Sequence, residues 1–77
     1  MLVTIVSPEK ELFKGEVQSI QLPGKQGRFE VLQNHAPLIS TLSEGKIVCS
    51  GTDSLEIDIK GGFVEINNNN VAVCVEP

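Results

Sequence analysis

The side chains best suited to nucleophilic or base chemistry are few: one histidine, His35, and two cysteines, Cys49 and Cys74. A thiol–imidazole pair needs both groups within hydrogen-bond reach, and His35 has no cysteine or acid beside it in the sequence, so any dyad would depend wholly on the fold. No segment supplies nucleophile, base and oxyanion donors together, and catalysis by this chain is not expected. The cysteines lack the His–Cys spacing of a zinc site and do not form a disulfide framework. Each falls in a strand-like run, where a reduced thiol serves as a small buried hydrophobe. Gly24-Lys25-Gln26-Gly27 is the one stretch that invites a phosphate-binding reading. It lacks the four-residue gap and the Lys-Ser or Lys-Thr that such a loop requires, so it reads as a turn, and no cofactor is expected.

That turn lies inside Leu22–Ile39, LPGKQGRFEVLQNHAPLI, the stretch that organises the chain. Pro23-Gly24 reads as a tight-turn pair, with proline presetting φ and glycine accepting the positive φ that follows. Gly27 gives a second place for the backbone to reverse, which leaves Lys25 and Gln26 as a polar tip projecting from a sheet. Arg28–Leu32 resumes as a strand with Phe29 and Val31 on one face. Pro37 pushes Ala36 out of the helical region, making Asn34–Pro37 an extended corner.

Around this stretch the pattern is of short strands. Met1–Val6 is apolar but stops at Ser7-Pro8, too short for a secretory signal or a membrane span, which places the protein in the cytoplasm or on its membrane face. Residues 9–15 read as one helical turn or a loop, ended by Gly15. From Glu16 to Leu22 the alternation is imperfect, the signature of a twist or bulge. Ile39, Leu42, Ile47 and Cys49 continue the strand pattern through a turn at Ser43-Glu44-Gly45. Leu55–Ile59 alternates strictly, with three apolar residues on one face and two acids on the other. Lys60-Gly61-Gly62 reads as a reversal that returns Phe63–Ile66 as the second arm of a hairpin. The four asparagines Asn67–Asn70 suit a loop tip, because asparagine accepts left-handed φ. Val71, Val73 and Val75 form one face of a final strand.

No segment carries a 3.6-residue apolar stripe. About eight to ten short strands with little or no helix give an all-β fold, a small two-sheet β-sandwich or flattened barrel, in one domain spanning residues 1–77. A chain of this size buries only about 60% of the surface its unfolded form exposes, so a second core is excluded and partners would add stability. A formal charge of −4 argues against nucleic acid.

The ordered series VSPEKELFKGEVQSIQ, LPGKQGRFEVLQNHAPLISTL and GGFVEINNNNVAV resembles the amino-terminal domain of the epsilon subunit of F-type ATP synthase, and the likeness covers nearly all of the chain. The resemblance implies a β-sandwich in the central stalk of a rotary enzyme, non-catalytic, joining the gamma subunit to the membrane c-ring and coupling proton flow to ATP synthesis. It implies a peripheral location on the cytoplasmic face of the membrane. By residue, it assigns Gly27, Arg28 and Phe29 to the c-ring contact, and Ser7, His35 and Ser40 to contacts with gamma or the ring. Arg28 departs from the family, which often has an acid there, and calls for an acidic or neutral partner. The helical carboxy-terminal domain of longer relatives, which can inhibit ATP hydrolysis, is absent from these residues, so the expectation is a coupling subunit without that brake. The competing expectation is a free-standing β-sandwich that binds peptide or sugar, although the lack of Trp and Tyr leaves few aromatic platforms for a sugar.

Overall fold

Alternating valines and isoleucines dictate the architecture. Val3 and Ile5 alternate with Leu2, Thr4 and Val6, and Val71, Val73 and Val75 alternate with Asn70, Ala72 and Cys74, so each strand buries one face and exposes the other. The computed structural model describes residues 1–77 and is built from nine strands without a helix. They are β1 (Leu2–Val6), β2 (Glu11–Glu16), β3 (Ser19–Gly24), β4 (Gly27–Leu32), β5 (Leu38–Leu42), β6 (Gly45–Ser50), β7 (Leu55–Ile59), β8 (Gly61–Asn67) and β9 (Asn70–Glu76). No helix is long and apolar enough to cross a membrane.

The strands form one curled sheet in the order β2-β1-β9-β8-β5-β3-β6-β7, with β4 paired to β3. It folds over at the β5–β3 step, so a front layer β2-β1-β9-β8-β5 faces a back layer β4-β3-β6-β7 and the expected two-layer sandwich results. Pairing at that step is limited to Gly24 and Leu42, braced by the Lys25 N–H donating to the Thr41 carbonyl (3.0 Å) and the Ser43 N–H to the Pro23 carbonyl (2.8 Å). Between the layers lie Val3, Ile5, Ile20, Leu22, Val31, Ile47, Val64 and Ile66, with no buried polar or charged side chain among them.

Four local expectations change. Glu11–Glu16 is a strand, not a helical turn or loop: Phe13 pairs with Ile5 and Gly15 with Val3, and Gly15 does not stop it. Its edge is held from far away, since the Asp53 carboxylate accepts from the Glu16 N–H and the Asp53 N–H donates to the Glu16 carbonyl, both at 3.2 Å. A side chain at Gly15 would collide with Asp53 and Phe13, so glycine is there to admit that loop. The irregularity between Glu16 and Leu22 is a break at Val17-Gln18 that separates two strands, rather than a bulge within one. Pro23-Gly24 is the end of β3 rather than the turn, which is Lys25-Gln26. Pro23 is tolerated because β6 pairs with β3 only from Ser19 to Gln21, so no ladder bond needs its missing N–H.

The last change concerns Lys60-Gly61-Gly62. It does not close a hairpin, because β7 pairs with β6 whereas β8 pairs with β5 and β9. It carries the chain from the back layer to the front. The Asn68-Asn69 tip matches expectation: φ values of 51° and 60° give the doubly left-handed turn of a two-residue hairpin.

Gly62 sits at φ 151°, and an added Cβ would overlap the Cys74 carbonyl oxygen, part of the neighbouring backbone. Gly27, at φ 134°, opens onto empty space. Gly62→Ala should therefore cost about 3 kcal/mol or more and Gly27→Ala about 1 kcal/mol, read from urea unfolding midpoints. Equal losses would show that contact with β9 is not what selects glycine at position 62.

Candidate functional site: a hairpin-tip groove and an apolar sheet face

The Gly24–Gly27 hairpin bends over the closed corner and lies against β5, and the space between them is a groove of about 780 Å³. Its lining includes Lys25, Gly27, Arg28, Phe29, Ile39 and Ser40. Four of the six residues expected to make contacts, Gly27, Arg28, Phe29 and Ser40, are thus brought together although twelve positions separate Arg28 from Ser40 in the sequence. Phe29 is half-buried and packs its ring on the core beneath, opposite Leu22, which fixes the floor. Arg28 is exposed, and its guanidinium donates to the Lys46 carbonyl on β6 at 2.7 Å. One bond of five possible donors is used, so the charge is oriented but still available. Ser40 is half-buried, with its hydroxyl donating to the Thr41 carbonyl at 3.3 Å.

Ser7 and His35 lie elsewhere, each bonded to local backbone. Ser7 braces the β1–β2 turn: its Oγ accepts from the N–H groups of Glu9 (3.3 Å) and Lys10 (3.2 Å). His35 occupies the corner between β4 and β5, where its N–H donates to the Leu32 carbonyl and its Nδ1 to the Ala36 carbonyl at 2.7 Å. The expectation of an extended corner fails at Asn34, which sits in a turn at φ 63°, and residues 35–37 then connect to β5 without regular structure. Asn34 and Asn69 bond reciprocally, tying this corner to the β8–β9 tip (2.6 and 3.1 Å). Lys25 meets β5 near its end, and from there the groove runs back along the strand to Leu38, three positions after His35, which does not itself line it.

A second surface escaped the sequence reading. The pairings align Val6, Cys74, Phe63 and Thr41 in one row across the front layer, and Thr4, Ala72, Glu65 and Ile39 in the next. Phe63 is 51% exposed and Ile39 73% exposed, and Glu65 is the one charged residue among these eight; on β2 the rows continue to Glu11 beside Val6 and Lys14 beside Thr4. The outer face of the back layer carries instead Arg28, Glu30, Lys46, Glu56 and Asp58, with Lys46 and Glu56 paired at 3.3 Å. The signal was present in the phase of the strands: Phe63 falls out of step with buried Val64 and Ile66, so it must point away from the core.

The thiols separate along the same division. Cys49 is 2% exposed in the core, and burial pushes its pKa from 9.0 up to about 11. Cys74 is half-buried on the outer face beside Phe63. Cys49 keeps fewer than about one thiolate in a thousand at pH 8, so an aromatic disulfide reagent should label Cys74 at least about 100-fold faster. Comparable rates in the folded chain would contradict the burial of Cys49. Because the folded-state pKa is raised, this group's contribution to stability is intact below pH 9 and falls between pH 9 and 11, by about 2–3 kcal/mol. A Cys49→Ala chain should lack that decline, as followed by urea unfolding across the interval.

No cluster of three or more metal-binding side chains is present. Residues 1–77 match the family model described as the ATP synthase delta/epsilon chain, β-sandwich domain. The chain is 45% identical over 74 residues to the ATP synthase epsilon chain of Caulobacter vibrioides, covering 95% of this chain and 86% of that one. It is 43% identical over 75 residues to the ATP synthase epsilon chain of Leptospira borgpetersenii, where it spans 96% of itself but only 59% of the relative's length. Its fold matches a chain in the central stalk/c-ring structure of Tetrahymena thermophila mitochondrial ATP synthase, with a TM-score of 0.86 at 17% identity, covering 99% of this chain and 63% of that one. With its full length matched and this sandwich as its fold, the chain belongs to the delta/epsilon family of ATP synthase β-sandwich domains.

Proposed function

We propose that this chain is a non-catalytic central-stalk subunit of F-type ATP synthase, joining gamma to the c-ring and coupling proton flow to ATP synthesis from the cytoplasmic face of the membrane. The family match along residues 1–77 carries the reading. The distribution of surface chemistry supports it. A joint that transmits torque must not slip, which calls for buried apolar anchors surrounded by polar groups that set register. The front face supplies anchors in Val6, Phe63 and Ile39, whereas the charged back face would be costly to desolvate.

In this reading the front face packs on gamma, with Ser7 and His35 at its two ends, while the hairpin tip with Gly27, Arg28 and Phe29 meets the c-ring and Ser40 lies where the two surfaces join. The backbone bonds of Ser7 and His35 make them holders of interface shape rather than donors of reactive groups.

Tagging the chain at native abundance and solubilising membranes gently should recover gamma, the c-ring and the catalytic subunits together. Recovery of none from membranes whose synthase stays intact would sink the stalk reading. Within the assembly, Phe63→Glu should weaken retention of gamma by about 2 kcal/mol or more without unfolding the chain, whereas Glu56→Lys on the back face should change little. The reverse pattern would place gamma on the other layer.

A further inference from the structure

The groove beside the hairpin tip joins two features that occur together nowhere else on the chain. The first is backbone. β5 gives one edge to β8 along its whole length but its other edge to β3 only at Leu42, which leaves Leu38–Ser40 unpaired on the groove side. β4 pairs only with β3, so its outer edge is also open. Unpaired strand edges are templates for another strand. The second feature is charge. In a chain of net charge −4, the groove is lined by two cations, Lys25 and Arg28, and by no acid. Two acids lie at its margins rather than in its lining: Glu30 shares a hollow with Arg28 and Phe29 and accepts from the Gln21 amide, and Glu65, paired with Ile39, lines a hollow beside Pro37 that also includes Leu38 and Ile39.

We infer that this groove takes an extended acidic peptide segment of another chain, which pairs its backbone with β5 at Leu38–Ser40 and sets its carboxylates against Lys25 and Arg28. Main-chain bonds to the open edge supply affinity without regard to sequence, and the two cations select for acids. Ile39 and Phe29 add apolar contact, since both line the groove. The inference rests on the stalk reading only for which subunit supplies the segment; its chemistry can be tested on the chain alone.

The test is a titration of the isotopically labelled 77-residue chain with a capped six-residue peptide alternating glutamate and valine, followed by amide NMR. Three comparisons accompany it: the lysine–valine counterpart, the acidic peptide N-methylated at alternate backbone positions, and the Lys25→Glu/Arg28→Glu chain, whose fold is checked from its amide spectrum. The expected result is shifts concentrated at residues 25–29 and 38–41, with binding at least about tenfold weaker in each comparison and weaker in high salt. Absence of shifts up to the solubility limit, equal binding of acidic and basic peptides, or shifts centred on another strand would overturn the proposal. Undiminished binding of the N-methylated peptide would overturn its strand-pairing component and with it the assignment to the β5 edge. Because no other subunit is present, failure here leaves the co-purification result standing, and failure of co-purification leaves this one standing.

Discussion

The fold depends on the junction of β3 and β5 at Gly24 and Leu42. There the ends of two antiparallel strands, one from each layer, meet and are tied by one backbone pairing and by bonds from Lys25 to Thr41 and from Ser43 to Pro23. Closing the sheet at this corner lets sixteen apolar residues share a single core although the chain has only 77. Gly24 is required by geometry, since a side chain there would meet the Gly27 carbonyl and the Phe29 ring. The same junction carries the hairpin over to β5 and so creates the groove; core closure and site construction are one event.

Once the corner is closed, the outer faces are free to differ. The core takes alternate residues of most strands, and what remains includes exposed Phe63 and Ile39 on the front layer and Arg28, Glu30, Lys46, Glu56 and Asp58, with exposed Leu32, on the back. A small domain gains from this asymmetry, because covering exposed Phe63 and Ile39 adds apolar burial that the sandwich cannot supply internally. The buried thiol of Cys49 and the half-open one of Cys74 mark the two sides of that boundary.

Strict alternation made β7 and β9 legible in the sequence, and the four asparagines announced the β8–β9 tip. β2 was not legible, because what makes Glu11–Glu16 a strand is its pairing with β1, and its end at Glu16 is held by Asp53, thirty-seven positions further on. Lys60-Gly61-Gly62 looked like a reversal for a good local reason, but glycine signals only that the backbone needs freedom, and here it is used to change layers. The hairpin tip was visible; its neighbour across the groove was not, since no local pattern reveals that Ser40 comes to face Arg28. The outer apolar face could have been found by asking which large apolar residues fall in the wrong phase of their strand.

The parallel pairing of β1 with β9 gives the chain a temporal order. β1 and β2 can form a hairpin early, but the other edge of β1 cannot pair until residues 70–76 exist and have met β8. A ribosome adding about 5–20 residues per second leaves that edge and the apolar side chains of β1 uncovered for seconds. Non-local β pairing is also slow once the chain is complete, with folding in the range of about milliseconds to seconds. The emerging chain therefore passes through a window in which its first strand is sticky, and other proteins that shield exposed strands would have their greatest effect in that interval.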